Sequence, residues 1–91
     1  MSDLHHSHPE IIKRLKRAEG HLRRVIDMIQ EGRPCLDLAT QLHAVERAVA
    51  QAKKTLIHDH IDHCLEHSVS NPSRAEARAS VQEFKAITKF L

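Results

Sequence analysis

Apolar residues recur with a helical period in three stretches of the chain. From Pro9 to about Gln30, the residues Ile12, Leu15, Ala18, Leu22, Val25, Ile26 and Ile29 fall on one face, while Lys13, Lys16, Arg17, Arg23 and Arg24 gather opposite. Pro9 suits the first turn of this helix, and Gly32 with Pro34 ends it. The second stretch runs from Cys35 to about His67 without Gly or Pro, and carries Leu38, Leu42, Val45, Val49, Ala52, Leu56 and Ile61 at helical spacing. At 1.5 Å per residue it extends roughly 50 Å, more than a lone chain of this size needs. Asn71 and Pro72 interrupt the pattern, and Ser73 followed by Glu76 has the spacing of a capping box that opens a third helix ending near Phe90, with Val81, Phe84 and Ile87 on its apolar side. The expected fold class is all-α, a three-helix protomer with two long antiparallel helices and a short C-terminal one.

Length limits what this protomer achieves alone. A domain of 91 residues buries only about two-thirds of its unfolded surface, so help from other subunits is expected. The pattern divides into a flexible His-rich arm, residues 1–8, and a single helical domain, residues 9–91. No apolar run approaches the ~20 residues needed to span a bilayer, and the N-terminus lacks the apolar stretch of a signal peptide, so the expected location is cytoplasmic with no membrane partner. In a reducing cytosol two cysteines are better read as metal ligands or reactive thiols than as a bridge. Nine histidines are an unusual load for this length, and they direct the search for chemistry.

His60 and Cys64 stand four residues apart, which on a helix places them on one face about 5–6 Å apart at Cβ, suitable for gripping one ion. Cys35 lies 25 residues before His60, and 25 steps of 100° return to within about 20° of the same direction. The same 25 steps advance roughly 37 Å along an unbroken helix, out of reach within one chain. Two copies of the long helix, antiparallel across a two-fold axis with their midpoint near Ala48 and Val49, bring the start of one to the late part of the other. Ala48, Ala50 and Ala52 permit close approach there, and two composite sites of Cys35 with the partner's His60 and Cys64 result. Two thiolates and an imidazole suit Ni(II), Co(II), Cu(I) or Zn(II) and disfavour Mg(II) or Ca(II). His63 and His67, or His5, His6 or His8 from the arm, are candidates for a further ligand. His58 is read as solvent-facing or supporting, and His21 and His43 as ordinary packing or surface residues.

Lys13, Arg14, Lys16, Arg17, Arg23 and Arg24 place six cations within twelve residues against the single acid Glu19. A solvated helix face is the bland explanation, and a phosphate-binding surface the sharper one. Net charge of +2 and a pI near 8.7 are too low to indicate nucleic acid by themselves, and no helix-turn-helix or zinc-finger spacing accompanies the cluster. Binding of double-stranded DNA would rest on backbone contacts repeated across an oligomer. No nucleophile, base and orienting group can be placed together, so neither an enzyme nor a small-molecule substrate is expected.

The basic RLKRAEGHLRR segment from Arg14 to Arg24, the EGRPC approach to Cys35, the small-residue middle of the long helix and the HDHIDHC segment ending at Cys64 together resemble the helical metal- and formaldehyde-responsive repressors typified by CsoR, RcnR, InrS and FrmR. The resemblance covers essentially the whole chain. It implies a four-helix-bundle dimer paired into a dimer-of-dimers tetramer, operator DNA covered by the apo form, and release on metal binding that derepresses metal efflux genes. It places Cys35 at the family's sensing cysteine, His60 and Cys64 in the pattern of the copper and InrS-like sensors, and Arg14 and Arg17 at positions implicated in DNA contact. The HHSHP opening resembles that of InrS-like nickel sensors and puts Ni(II) or Co(II) ahead of Cu(I), with Zn(II) also compatible. A formaldehyde or sulfur-electrophile response through Cys35 is the alternative, weakened by Ser2 where formaldehyde sensors have proline, and a metal buffer without DNA is another.

Overall fold

The computed structural model describes residues 6–69 and 73–91, with side-chain surroundings for 6–66 and 73–91. Every regular element among them is helical: α1 (His8–Gln30), α2 (Cys35–Val69), α3 (Arg74–Ile87) and a closing 3-10 turn, Thr88–Phe90. Among the described residues no helix is long and apolar enough to cross a membrane. The expected break at Asn71 and Pro72 lies outside the described residues. The described residues form two compact units, Pro9–Lys53 on one hand and those from Lys54 to Leu91 with residues 6–8 on the other, and α2 contributes to both.

The turn between α1 and α2 follows from one glycine. Gly32 adopts φ 77°, a left-handed conformation that a side chain would strain. Its N–H donates to the Ile29 carbonyl (3.1 Å) and the Arg33 N–H to the Met28 carbonyl (3.1 Å), the paired bonds of a Schellman ending. Pro34 then accepts from the Leu38 N–H at 3.1 Å, so Cys35 is the first residue inside α2.

In the Pro9–Lys53 unit, α1 runs antiparallel to the first part of α2. His21 meets Gln41 at 2.7 Å, while Arg14 and Arg17 share a hollow with Ala48 and Gln51. Ile11, Ala18, Val25 and Met28 of α1 are buried, as are Val45 and Ala52 of α2. The apolar face of α1 is wider than this packing covers. Of the residues expected in its core only Ala18 and Val25 are buried, whereas Ile12, Leu15, Leu22, Ile26 and Ile29 are exposed. A single helix neighbour covers only half of a broad apolar stripe. Helix α2 repeats the pattern, with Val45 and Ala52 turned inward and Leu42, Val49 and Leu56 exposed at intervals of seven. The core positions expected at Leu42, Val49 and Leu56 therefore become an outward stripe of the protomer.

In the other unit the buried positions of α2 are Ile57 and Cys64. Ser73 caps α3 by accepting from the Glu76 N–H (3.1 Å), and the Glu76 carboxylate accepts from the Ser73 N–H (3.3 Å), completing the expected capping box. The apolar side expected for α3 is only partly covered: Val81 and Phe84 are exposed, Ile87 is half-buried, and no residue of the helix is fully buried. Its last turn tightens to the 3-10 form, where the Thr88 hydroxyl donates to the Lys85 carbonyl (3.0 Å).

Candidate metal centre and cationic surface

Helical spacing puts His60 directly before Cys64 on the face of α2 that meets α3. There His60 Nε2 lies 3.3 Å from an oxygen of Glu83, and donor atoms of His60, Cys64 and Glu83 all fall within 4.8 Å of one another. Among the described residues this is the one group of three His, Cys, Asp or Glu side chains close enough to hold an ion. His60 is about one-fifth exposed, Cys64 is buried, and Glu83 reaches in from the surface. A sulfur, an imidazole nitrogen and a carboxylate make a borderline donor set, appropriate to a divalent transition metal. With its oxygen 3.3 Å from Nε2, the Glu83 carboxylate is placed either to share an ion with the imidazole or to hold the ring's angle for one.

Burial raises the pKa of the Cys64 thiol above its ordinary value, and the negative charge of Glu83 raises it further. A cation binding there would have to displace the thiol proton. His63 is half-buried and lines a hollow of about 260 Å³ with Cys64, Glu76 and Glu83, so it stays within the same locality. Cys35 does not belong to the group: it is the exposed first residue of α2, in the other compact unit. His6 is exposed and outside the group, His8 is also outside it and opens α1 instead of ending the arm, His5 lies outside the described residues, and so does the side chain of His67. His58 is exposed, and His43 pairs loosely with Glu46 at 3.7 Å.

Sequence reasoning missed Glu83. Glu83 follows Glu76 by seven residues, two helical turns, with Ala79 and Ser80 between them, which marks one face of α3 without saying which helix that face meets. Small residues at that spacing mark the face of α3 that another helix can approach.

The six cations of α1 separate into groups. Arg23 pairs with Glu19 (3.8 Å) and Arg24 with Glu31 (3.3 Å), both at the surface, where such pairs contribute little. Among the described residues Lys13, Arg14, Lys16 and Arg17 have no acidic partner in ion-pair range. Arg14 and Arg17 line a hollow of about 320 Å³ whose other walls include Glu10, His21 and Gln51. Two guanidinium groups at one opening offer a fork geometry suited to phosphate.

Residues 7–89 match the family described as metal-sensitive transcriptional repressor. The copper-sensing transcriptional repressor CsoR of Bacillus subtilis is 32% identical over 81 residues, which are 88% of this chain and 80% of that protein. The copper-sensing transcriptional repressor RicR of Mycobacterium tuberculosis is 38% identical over 58 residues, 64% of this chain and 60% of that protein, so the chain matches less than two-thirds of its length. The solved structure of the nickel-responsive transcriptional regulator InrS superposes with a TM-score of 0.77 at 31% identity, covering 96% of each chain.

Proposed function

The chain belongs to the metal-sensitive transcriptional repressor family, and we propose that in its apo form it covers operator DNA and is released when a transition-metal ion binds between subunits. The ion is held by Cys35 of one protomer with His60 and Cys64 of the next. The single observation that carries this reading is the convergence of His60, Cys64 and Glu83 within 4.8 Å. Two of those residues are the ones whose spacing points to a ligand pair, and the third supplies the contact that orients the imidazole. Among its relatives, CsoR is named for copper and InrS for nickel.

The metal is Ni(II) or Co(II) ahead of Cu(I), with Zn(II) compatible. Two thiolates and the adjacent Glu83 carboxylate concentrate negative charge that a divalent ion balances better than a monovalent one. His63 and the arm residues His5 and His6 are the further ligands available to a metal that wants more than three.

The assembly is an antiparallel four-helix-bundle dimer, doubled into a tetramer. The exposed row Leu42, Val49 and Leu56 supports it, because a two-fold partner centred near Val49 would cover all three. On this assembly residues 9–91 act as one sensor and DNA-binding domain, and residues 1–8 as an arm. Arg14 and Arg17, with Lys13, Lys16, Arg23 and Arg24, meet the DNA backbone. Metal and DNA then prefer different arrangements of the same assembly, and release of metal efflux genes follows.

The test is anaerobic fluorescence anisotropy of apo-protein on a duplex taken from upstream of its own gene, titrated with Ni(II), Co(II), Zn(II) and Cu(I). The expected result is tight apo binding that weakens by about 5- to 150-fold on saturation, the usual range of such coupling. Affinity unmoved by all four ions would reject the reading.

A further inference from the structure

Helix α3 sorts its charges by face. At 100° per residue, Arg74, Arg78, Gln82 and Lys85 fall within an arc of about 80°, and Lys89 in the closing turn continues the row. All five are exposed. The two acids of the helix lie elsewhere and are both engaged, Glu76 in the cap with Ser73 and Glu83 with His60. The outer row therefore contains four cations and no acid, and among the described residues none of the four is in an ion pair.

The helix dipole favours Lys85 and Lys89 in the closing turns, but it disfavours Arg74 and Arg78 at the N-terminal end. Arg74 with Arg78 and Lys85 with Lys89 are like-charge neighbours at i,i+4, an arrangement that weakens a helix, whereas surfaces kept for solubility intersperse both signs. Ala75 and Ala79 form a shallow floor beside Arg74, Arg78 and Gln82, so an extended chain can lie close against the helix. The row from Arg74 to Lys89 extends roughly 22 Å, enough to meet several phosphates of one strand.

We propose that this outer face of α3 is a second DNA-backbone surface, separate from the cations of α1, on which Arg74, Arg78, Lys85 and Lys89 neutralise phosphates and Gln82 donates between them. The inference rests on the repressor reading and adds a second surface to it. Recognition here is of the phosphodiester chain, with no part in reading bases.

The experiment measures affinity of the full-length apo-protein for the duplex from upstream of its own gene as a function of salt. Wild type is compared with Arg74→Gln/Arg78→Gln/Lys85→Gln/Lys89→Gln, with the charge-retaining Arg74→Lys/Arg78→Lys, and with Arg14→Gln/Arg17→Gln. Neutralising α3 is expected to flatten the slope of log K against log salt by roughly 0.9 for each phosphate that the protein ceases to neutralise. The charge-retaining variant should keep the wild-type slope, and helicity and oligomeric state should be unchanged in all. Should the fourfold variant fail to fold, the two pairwise variants, Arg74→Gln/Arg78→Gln and Lys85→Gln/Lys89→Gln, must each show part of the flattening. A neutralised α3 with the wild-type slope overturns the inference. So does an assembly that falls apart with unchanged affinity per assembled protein, which would make the row an interface with another copy. In either case flattening by the α1 variant leaves the repressor reading standing, while failure of wild type to bind DNA removes both.

Discussion

Helix α2 begins at one cysteine and carries the other late in its length, and the two ends are built differently. At the Cys64 end the sulfur is buried, an imidazole stands one turn away, and a carboxylate from α3 fixes that imidazole at 3.3 Å. At the Cys35 end the sulfur is exposed on the first helical residue after a glycine turn, outside any ligand group among the described residues. One end is a group of three candidate ligands assembled by the fold of a single chain. The other is a lone exposed thiol, which the proposed function completes with ligands from a partner. On that proposal the asymmetry would let a metal report on the arrangement of subunits, because closing the site would require both ends.

The sharpest break of this contrast is to remove each sulfur in turn. Cys64→Ala and Cys35→Ala should each lower metal affinity by more than the roughly 100-fold that loss of a supporting residue costs. They should differ in stability. Truncating the buried Cys64 is expected to cost about 1 kcal/mol, whereas the exposed Cys35 should stay within about 0.5 kcal/mol of wild type by denaturant unfolding. Cys35→Ala with wild-type metal affinity would show that the Cys64 end is sufficient by itself.

Glu83→Gln probes the assembled end more gently. It removes the carboxylate that orients His60, and metal affinity should fall about 10- to 100-fold in a competition titration. The same change should bring the Cys64 pKa partway down, read from the pH dependence of thiol alkylation, because desolvation is the larger cause of its elevation and remains. An unchanged alkylation profile would mean that Glu83 does not act on the thiol.

The raised Cys64 pKa also gives opposite pH signs to binding and folding. Metal must displace the thiol proton, so affinity should gain about tenfold per pH unit for that proton while the pH is below the thiol's pKa. Stability of the apo-protein runs the other way. The thiol is neutral in folded and unfolded chains below the ordinary thiol value, so its contribution is fully present there. Above that value the unfolded chain ionises first, and stability is lost as the pH rises through the folded pKa. Thermal melts across alkaline pH should show that decline in wild type and a smaller one in Cys64→Ala.

The smallest expected effects are on the supporting frame. Ser73→Ala deletes the α3 cap and should cost about 1 kcal/mol, with a modest loss of metal affinity as Glu83 loses its anchored helix. Gly32→Ala strains the turn before Cys35 and should cost about as much. It should leave Cys64 alkylation unaltered.

Helix placement was legible in the sequence because its punctuation is chemical. Gly32, Pro34 and the Ser73 with Glu76 pair each act through a local hydrogen bond or a fixed dihedral, and each appears as expected. Burial was less legible. Leu15, Leu22, Leu42 and Val49 have the periodicity of a core yet are exposed in the protomer, since periodicity reports that a face is apolar and not which molecule covers it. At the site, the pairing of His60 with Cys64 followed from spacing on one helix. Glu83 did not, because it reaches the site from another helix whose approach no local pattern specifies.

The central claim, a site shared between subunits, is tested most directly by mixing Cys35→Ala with Cys64→Ala protein, unfolding and refolding them together, and counting tightly bound Ni(II) at equilibrium. Neither variant should bind tightly alone. In a mixed dimer one composite site is whole, so a random equal mixture should recover about a quarter of the wild-type sites. Recovery of none, with mixed dimers demonstrated by mass spectrometry, would contradict a site that takes its ligands from two chains.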